Sequence, residues 1–358
     1  MRPLLARISA DALAHNLAVA RRHAGGAKIL SVIKASAYGH GLSHAASALA
    51  ASDGYAVLNI DEAVLLRQAG IEKPVLMLEG PFDAEDMNAC AEFNLMPVLH
   101  SPHQLEWLAR AGEPMQVFLK FNSGMNRLGF PLADFEQTVE RVKASRNIAG
   151  ITLMTHFATA DEDFGIDWQW QQFIAKAGTL KLPVSAANSA ALLRHPETCR
   201  DWVRAGIMLY GASPFADVSA ADLDLRPAMT LQSEVIALQH LKPGEAVGYG
   251  LTYMADAAMR VGIVACGYAD GYPRHAPTGT PILVNGRRTR TLGRLSMDML
   301  AVDLTNVPDA GIGSQVVLWG DGMPVEEVAR AAGTISYELL CALAPRVKVK
   351  QAYLGEGV

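Results

Sequence analysis

The chain has 358 residues, more than one hydrophobic core usually supports, which predicts one large domain plus a smaller one. Hydrophobic residues make up 50%, charged residues 19%, and the formal net charge is −5. This composition excludes a disordered chain, and the scattered Lys and Arg residues exclude the basic surface that nucleic-acid binding requires. Small-molecule chemistry is therefore the expectation.

The cysteines and the N-terminus indicate the compartment. Cys90, Cys199, Cys266 and Cys341 form no C-x-x-C or Cys/His pair, so neither a metal site nor a disulfide framework is expected. The N-terminus lacks a charged start followed by a long apolar stretch, and no later window reaches membrane-spanning length. We predict a cytoplasmic protein with no membrane segment and no nucleic-acid partner.

Short apolar or β-branched runs alternate with segments of helical period in the first part of the chain. The helical segments include residues 61–70, 101–112, 132–145 and 168–180, and several open with an Asp or Ser that can cap a helix. Such alternation is typical of parallel βα units. The candidate strands are KILSVIK, GYAVLNI, KPVLMLEG, LMPVLH, QVFLKFN, IAGITLMTH, PVSAANS and VRAGIMLYG.

Eight such units within roughly 230 residues predict a TIM-type (β/α)8 barrel over residues 1–229. A small doubly wound domain stays open as an alternative, because periodicity does not give strand order. After about residue 229 the pattern changes to short strands separated by Pro, Gly, Asn and Asp turns, with no long helix until 324–332. We therefore predict an α/β plus β chain with a C-terminal, mostly β domain over residues 230–358.

Reactive or hydrogen-bonding side chains follow several candidate strands. The carboxyl ends of barrel strands line the active site of this fold. Taken singly, each residue has a structural explanation: a solvated strand-end lysine, a hydrogen-bonded core histidine or a helix cap. The occurrence of such residues at the ends of several strands favours an active site. The residues are Lys34, Lys120 with Asn122, His156, Asn188 with Ser189, and Arg204 followed by Gly206.

Lys34, in SVIKASAYGHG, is either a surface amine at a strand end or an amine that condenses with a carbonyl group as a Schiff base. A carbonyl cofactor with a phosphate group would fit, because the segments AANSAA and RAGIMLYG offer a serine hydroxyl and backbone amides around glycine. Neither segment is a G-x-G-x-x-G or P-loop motif, so nucleotide binding has no direct support.

Nine segments, in order and spread over essentially the whole chain, resemble the motifs of the alanine racemase family. The resemblance implies a pyridoxal-phosphate-dependent isomerase of fold type III. It also implies a head-to-tail homodimer with shared active sites, in which the C-terminal domain contributes to the partner subunit's site. The motif NSGMNRLG favours the catabolic branch of the family. The segments are VIKASAYGHG, LKFNSGMNRLG, THFATADE, AANSAA, VRAGIMLYG, VGYGLTY, CGYADG, GRLSMD and ISYELL.

The implied reaction interconverts L- and D-alanine by two bases acting on the external aldimine of pyridoxal phosphate, either supplying D-alanine for peptidoglycan or catabolising alanine. Lys34 matches the lysine that forms the internal aldimine and serves as one base. Tyr249 matches the opposing base, supplied by the partner subunit. His156 matches the histidine that links this tyrosine to Arg204, which matches the arginine facing the pyridine nitrogen.

The resemblance implies further contacts. Arg127 matches a residue that holds the cofactor's phenolic oxygen and the substrate carboxylate, and Lys120 matches a position that CO2 carbamylates in some members. Tyr268 matches a gate at the entry channel, with a packed turn aromatic as the alternative explanation. The partner's substrate-end residues are matched by Met297 and Asp298, and the cofactor contacts by Tyr38, Asn188, Ser189, Gly206, Ile207 and Tyr337.

Other functions stay open as alternatives. A racemase for serine or a broader set of amino acids is one, since a methyl and a hydroxymethyl group differ little in a small pocket. A barrel-type amino-acid decarboxylase would carry an E-P-G-R loop and a carboxylate near the pyridine nitrogen, and neither is recognisable in the sequence. A non-catalytic pyridoxal-phosphate carrier resembles the barrel alone, and the segment 230–358 argues against it.

Overall fold

The computed structural model describes residues 2–352, 354 and 355. Its first strand, β1 (Leu5–Ser9), leads directly into helix α1 (Ala10–His23). The Ser9 Oγ accepts a hydrogen bond from the amide of Ala12 at 3.1 Å and so caps the start of α1. β1 does not pair with the strands that come next in the sequence. Its partners belong to the C-terminal part of the chain.

Eight parallel strands close into a barrel, as predicted. The strands are β2 (Lys28–Val32), β3 (Gly54–Val57), β4 (Val75–Met77), β5 (Met96–Leu99), β6 (Met115–Asn122), then, after the short β7 (Phe130–Pro131), β8 (Ile148–Met154), β9 (Val184–Ser185) and β10 (Trp202–Ala205). The ring runs β5-β4-β3-β2-β10-β9-β8-β6, and pairing of β6 with β5 closes it. β7 adds to β6 outside the ring. The closed order excludes the doubly wound alternative.

Helices connect the barrel strands, and the four helical segments proposed from the sequence correspond to α4, α6, α7 and α8. Asn59 and Asp83 accept hydrogen bonds from amides three residues ahead and so cap α4 and α5. The bounds are α2 (Lys34–Tyr38), α3 (Leu42–Ala48), α4 (Ile60–Gln68), α5 (Ala84–Glu92), α6 (Pro102–Leu108), α7 (Phe135–Lys143), α8 (Asp167–Ala177) and α9 (Ser189–Arg194).

The C-terminal part is mostly β, as predicted. Its strands are β11 (Met229–Leu241), β12 (Ala246–Val247), β13 (Tyr253–Met254), β14 (Met259–Val264), β15 (Pro281–Val284), β16 (Arg287–Leu292), β17 (Leu300–Asp303), β18 (Gln315–Trp319) and β19 (Lys348–Ala352). The long β11 bends at two irregularities and pairs antiparallel with both β18 and β14, which closes a ring of six strands. Helices α10 (Val325–Ala332) and α11 (Ser336–Cys341) precede β19, and α10 matches the helix predicted at 324–332.

The first strand belongs to this second sheet. β1 pairs antiparallel with β11 and parallel with β19, so the sheet spans both ends of the chain. A continuous apolar core extends from the barrel into the β part and includes the stacked rings of Tyr272 and Trp319, 5.9 Å apart. Among the described residues, no helix combines the length and the apolar character needed to cross a membrane.

Candidate active site

A cavity of about 500 Å³ lies at the carboxyl ends of the barrel strands. Side chains from several different strands reach it, as the strand-end argument predicts. Of the residues singled out from the sequence, eleven line this cavity: Lys34, Tyr38, Lys120, Arg127, His156, Asn188, Ser189, Arg204, Gly206, Ile207 and Tyr337.

Lys34 follows β2 and is half-buried at the cavity. The next four residues, Ala35 to Tyr38, form the rest of the short segment α2, but all have left-handed backbone angles, with φ between 52° and 54°. Left-handed turns of this length are rare for residues that carry a Cβ. The turn ends at Gly39, where a Cβ would lie 2.3 Å from the carbonyl oxygen of Leu340 in α11, so only glycine fits.

Five residues that line the cavity form what we call the donor cluster, because each carries a hydroxyl or a backbone amide as a donor: Tyr38, Ser189, Gly206, Ile207 and Tyr337. The Ser189 Oγ accepts a hydrogen bond from the amide of Gly206 at 2.8 Å and keeps its own proton to donate. The rings of Tyr38 and Tyr337 lie 6.0 Å apart. Burial raises the pKa of both phenols, so both remain donors at neutral pH. Converging uncharged donors suit an anion such as a phosphate.

The buried Arg204 and the half-buried His156 form a pair beside this cluster. The Arg204 guanidinium donates to the Oγ of Ser185 at 2.6 Å and to the carbonyls of Thr155 and Ala186, which fixes its position. Its Nη2 also lies 3.2 Å from the Nδ1 of His156. A guanidinium can only donate, so Nδ1 is the acceptor and Nε2 carries the histidine proton. Burial and the cations around it lower the pKa of His156, which is therefore neutral.

Lys120 and Arg127 also line the cavity. Lys120 is buried, and burial together with Arg204 and Arg127 lowers the pKa of its amine to about 8. Asn122, at the end of β6, shapes the loop that carries Arg127: its Oδ1 accepts from the amides of Gly124 and Asn126, each at 3.0 Å.

Asn188 has a structural task as well as a place at the cavity. Its Oδ1 accepts from the amide of Ala191 at 3.0 Å and caps α9, in agreement with the structural explanation that the sequence left open for it.

Four predicted site residues lie elsewhere. Tyr249, Tyr268, Met297 and Asp298 occupy loops of the β part, and none of them lines the cavity of its own chain. Tyr249, Met297 and Tyr268 are 64%, 52% and 36% exposed. The loop of Tyr268 is joined to the loop of Met297 and Asp298 by hydrogen bonds from the amides of residues 268 and 269 to the carbonyls of residues 296 and 297, at 3.2 and 3.0 Å. We call residues 248–254, 267–271 and 293–299 the loop face.

The sequence prediction missed two residues at or next to the barrel cavity. Glu79 lines the cavity two residues after the end of β4, so the strand-end argument that selected Lys34 would have found it. Tyr210 stacks on Tyr38 with ring centroids 4.6 Å apart. No local signal distinguishes Tyr210, because an aromatic residue in GIMLYG has the pattern of an ordinary core residue.

A closed (β/α)8 barrel with a strand-end lysine and a donor cluster, followed by a β domain, defines the fold type III class of enzymes. Two family models match the chain: the alanine racemase N-terminal domain over residues 8–214 and the C-terminal domain over residues 228–351. The chain belongs to the alanine racemase family, and it interconverts L- and D-alanine.

Individual relatives agree with this assignment along the whole chain. The alanine racemase of Thiobacillus denitrificans is 64% identical over 353 residues, covering 98% of this chain and 96% of the relative. The catabolic alanine racemase of Salmonella typhimurium is 51% identical over 351 residues, covering 97% and 98%. The crystal structure of the biosynthetic alanine racemase from Pseudomonas aeruginosa superposes with a TM-score of 0.95 at 44% identity, covering 99% of this chain and 100% of the other.

Proposed function

We propose that the chain racemises alanine with pyridoxal phosphate bound in the barrel cavity, using Lys34 and Tyr249 as its two acid–base groups. The observation that carries the proposal is the convergence of a strand-end lysine and the donor cluster on one cavity of about 500 Å³. Lys34 would bind the cofactor's carbonyl carbon, and the donor cluster would bind its phosphate.

The residues of the donor cluster fit the cofactor's phosphate group. A Cβ on Gly206 would lie 3.0 Å from the Tyr38 Oη and 3.8 Å from the Ser189 Oγ, so glycine leaves open the space on which these donors converge. Asn188, beside Ser189, and Tyr337 complete the set of residues that would hold the cofactor at this end.

When bound, pyridoxal phosphate supplies an electron-accepting ring that stabilises the charge left on Cα after proton loss. Arg204 would face the ring nitrogen. Its guanidinium is held by buried hydrogen bonds and can donate but not accept a proton, so it disfavours protonation of that nitrogen. A weaker electron sink limits decarboxylation and transamination, which suits a racemase.

Racemisation needs one group that removes the Cα proton on one face and another that delivers a proton on the opposite face. Lys34 lies at the cavity, whereas Tyr249 is 64% exposed on the loop face of its own chain. Tyr249 therefore reaches a cavity only if a second copy presents its loop face there. We infer a head-to-tail homodimer in which the β domain, residues 230–358, completes the partner's site, with Met297, Asp298 and the gate Tyr268 at the substrate end. The exposed apolar side chains of Leu251 and Met254 beside Tyr249 support such an interface.

His156 and Arg127 would assist these two bases. The Nε2–H of His156, opposite its contact with Arg204, can donate to the phenolate of Tyr249 when that tyrosine acts as a base. Arg127 would hold the substrate carboxylate through its guanidinium fork.

We also propose that CO2 carbamylates Lys120. Arg204, Arg127 and Lys34 are the cations near its amine. The lowered pKa leaves part of the Lys120 amine neutral, and the neutral amine can attack CO2. The ammonium first loses one proton, and formation of the N–C bond releases a second, so a cation becomes an anion that can orient Arg127.

Chiral analysis of alanine incubated with the enzyme and pyridoxal phosphate tests the central step. The wild-type chain should form D-alanine from L-alanine and incorporate deuterium at Cα in D2O. Tyr249→Phe should retain the absorbance of the bound cofactor and lose racemisation by roughly a hundredfold or more, because one proton carrier is gone. Tyr253→Phe, the same chemical change four residues along the chain, should remain active. Release of CO2 without D-alanine would instead identify a decarboxylase.

The remaining assignments concern location and physiological duty. We propose a cytoplasmic protein, which the four unpaired cysteines support, since a reducing compartment keeps thiols free. The catabolic duty favoured by NSGMNRLG stays a prediction; growth on alanine as the sole nitrogen source should fail when the gene is deleted, without a requirement for added D-alanine.

A further inference from the structure

The left-handed turn at Ala35–Tyr38 is the most unusual piece of backbone near the cavity. None of its four residues is a glycine, and each adopts a conformation that residues with a Cβ disfavour. The turn begins beside Lys34 and includes Tyr38, so it sets the distance between the lysine and the first member of the donor cluster. Hydrogen bonds and packing contacts must hold it in place.

His40 makes such contacts from a fully buried position. Its Nδ1 lies 3.0 Å from the carbonyl oxygen of Ala37 and 2.9 Å from that of Tyr38. Both oxygens are acceptors, so Nδ1 carries the proton and donates it to the pair. Burial lowers the pKa of His40 to about 4, which keeps the ring neutral in the folded protein. Its Nε2 has no hydrogen-bond partner among the described residues.

The ring of His40 also connects the turn to the segment that carries Gly206 and Ile207 of the donor cluster. It packs on Tyr210 with centroids 4.6 Å apart, and Tyr210 stacks on Tyr38 at 4.6 Å. The Tyr210 hydroxyl donates to the carbonyl of Val32, at the end of β2, at 2.8 Å. Tyr210 closes the short helix that begins at Ile207, so this cluster of rings joins the backbone after β2 to the backbone after β10.

We propose that His40 is a positioning residue for cofactor binding: its imidazole fixes the left-handed turn and the Tyr38–Tyr210 stack, and thereby sets where the donor cluster meets a phosphate group. This inference rests on the pyridoxal-phosphate binding proposed above. Without the Nδ1 donor, two buried carbonyls lose a partner, the turn relaxes toward ordinary backbone angles, and the Tyr38 hydroxyl moves away from Ser189 and Gly206.

Two substitutions of His40 distinguish the effect of its N–H donor from the effect of its aromatic ring. His40→Phe keeps an aromatic ring against Tyr210 but removes the donor, whereas His40→Asn keeps an N–H donor close to the position of Nδ1 and loses the ring. Asn147→Ala is the matched control, because Asn147 is buried and donates to the carbonyl of Leu108 at 2.9 Å just before β8, at the opposite end of that strand from the cavity.

The test titrates apoenzyme with pyridoxal phosphate, records the 31P chemical shift of the bound cofactor, and measures thermal unfolding of each variant. His40→Phe should weaken cofactor binding roughly tenfold or more and shift the 31P resonance. His40→Asn should bind more tightly than His40→Phe, and Asn147→Ala should lower the unfolding temperature without changing either cofactor measurement.

A His40→Phe chain with wild-type affinity and an unchanged 31P shift overturns the inference, whatever its unfolding temperature. If His40→Phe does not fold, His40→Gln takes its place; its donor is displaced by one methylene, so wild-type affinity in that variant overturns the inference equally. A wild-type chain that fails to bind pyridoxal phosphate contradicts the proposed function itself, and the inference falls with it.

Discussion

At the scale of single residues, the cavity has a marked charge imbalance. Within the described part of the chain, four basic side chains and one carboxylate line it. Such a site favours ligands that carry several negative charges, as a phosphate and a substrate carboxylate do together. The residues are Lys34, Lys120, Arg127, Arg204 and Glu79.

Lys120 makes this imbalance testable. In CO2-free buffer the carbamate should dissociate, leaving like charges together, and racemisation should fall; bicarbonate should restore it. Because the pKa of the Lys120 amine is about 8 and only the neutral amine attacks CO2, restoration at a fixed concentration of dissolved CO2 should become faster as the pH rises through 8. Stopped assays after bicarbonate addition at several pH values measure this.

Two variants control that experiment. Glu79 raises the pKa of Lys120, so Glu79→Gln should move the midpoint of the pH dependence downward. Lys120→Met should have low activity that bicarbonate does not change. If the wild-type enzyme has the same activity with and without CO2, the carbamylation proposal is wrong.

At the scale of elements, periodicity predicted strands well and long-range pairing poorly. All eight barrel strands were found because a strand buried between two layers is a short, continuous apolar run. The pairing of β1 with β11 and β19 could not be found, since it joins residues more than 200 positions apart and nothing local encodes it.

The left-handed turn after Lys34 shows a second limit of sequence reasoning. ASAY has no glycine to indicate positive φ angles, and the contacts that hold the turn come from His40 and from the ring of Tyr210, which is far along the chain. The cavity residues at strand ends were predictable from position, whereas the loop face was assigned by resemblance alone. Its members lie on exposed loops, where no period or strand end marks them.

The loop of Tyr268 is held to the rest of the β domain by an ion cluster around Asp270. The fully buried Asp270 carboxylate accepts from Arg2 at 2.5 and 2.7 Å, from Arg346 at 2.7 Å and from the amide of Gly267 at 2.8 Å. Arg346 continues to Asp298 at 2.7 Å. The cluster therefore fixes two parts of the loop face relative to each other.

Asp270→Asn should lower the free energy of unfolding by about 2 kcal/mol, less than for a fully enclosed pair because both guanidiniums keep contact with water. Urea unfolding measures the loss. Asp224→Asn, which removes an exposed carboxylate facing Arg22, should leave stability unchanged within error. Equal stability of the Asp270 variant and the wild type would show that the cluster contributes nothing.

The same cluster predicts a pH dependence. Burial alone would raise the pKa of Asp270, but the hydrogen bonds from Arg2, Arg346 and Gly267 outweigh it and hold that pKa below its usual range. The folded-state pKa is thus lower than the unfolded one, so the stabilisation is fully present above about pH 4 and is lost as the pH falls through the folded-state value. Asp270→Asn should lack this part of the acid dependence.

At the scale of the whole molecule, the two candidate bases belong to different surfaces of one chain. Lys34 is at the barrel cavity, and Tyr249 is on the loop face of the β domain. A homodimer that pairs these surfaces head to tail would build two identical sites, each with one base from each subunit. If the sites are shared in this way, activity depends on whether substitutions of Lys34 and Tyr249 lie on the same chain or on different chains of the dimer.

The decisive measurement is racemase activity of tandem-tagged dimers purified from coexpressed chains. With Lys34→Ala on one chain and Tyr249→Phe on the other, one of the two sites should be intact, giving about half of the wild-type activity. With both substitutions on one chain and a wild-type partner, each site should lack one base and the dimer should be nearly inactive. The opposite outcome, an inactive first dimer and a half-active second one, would mean that each site is built from a single chain and would contradict the account.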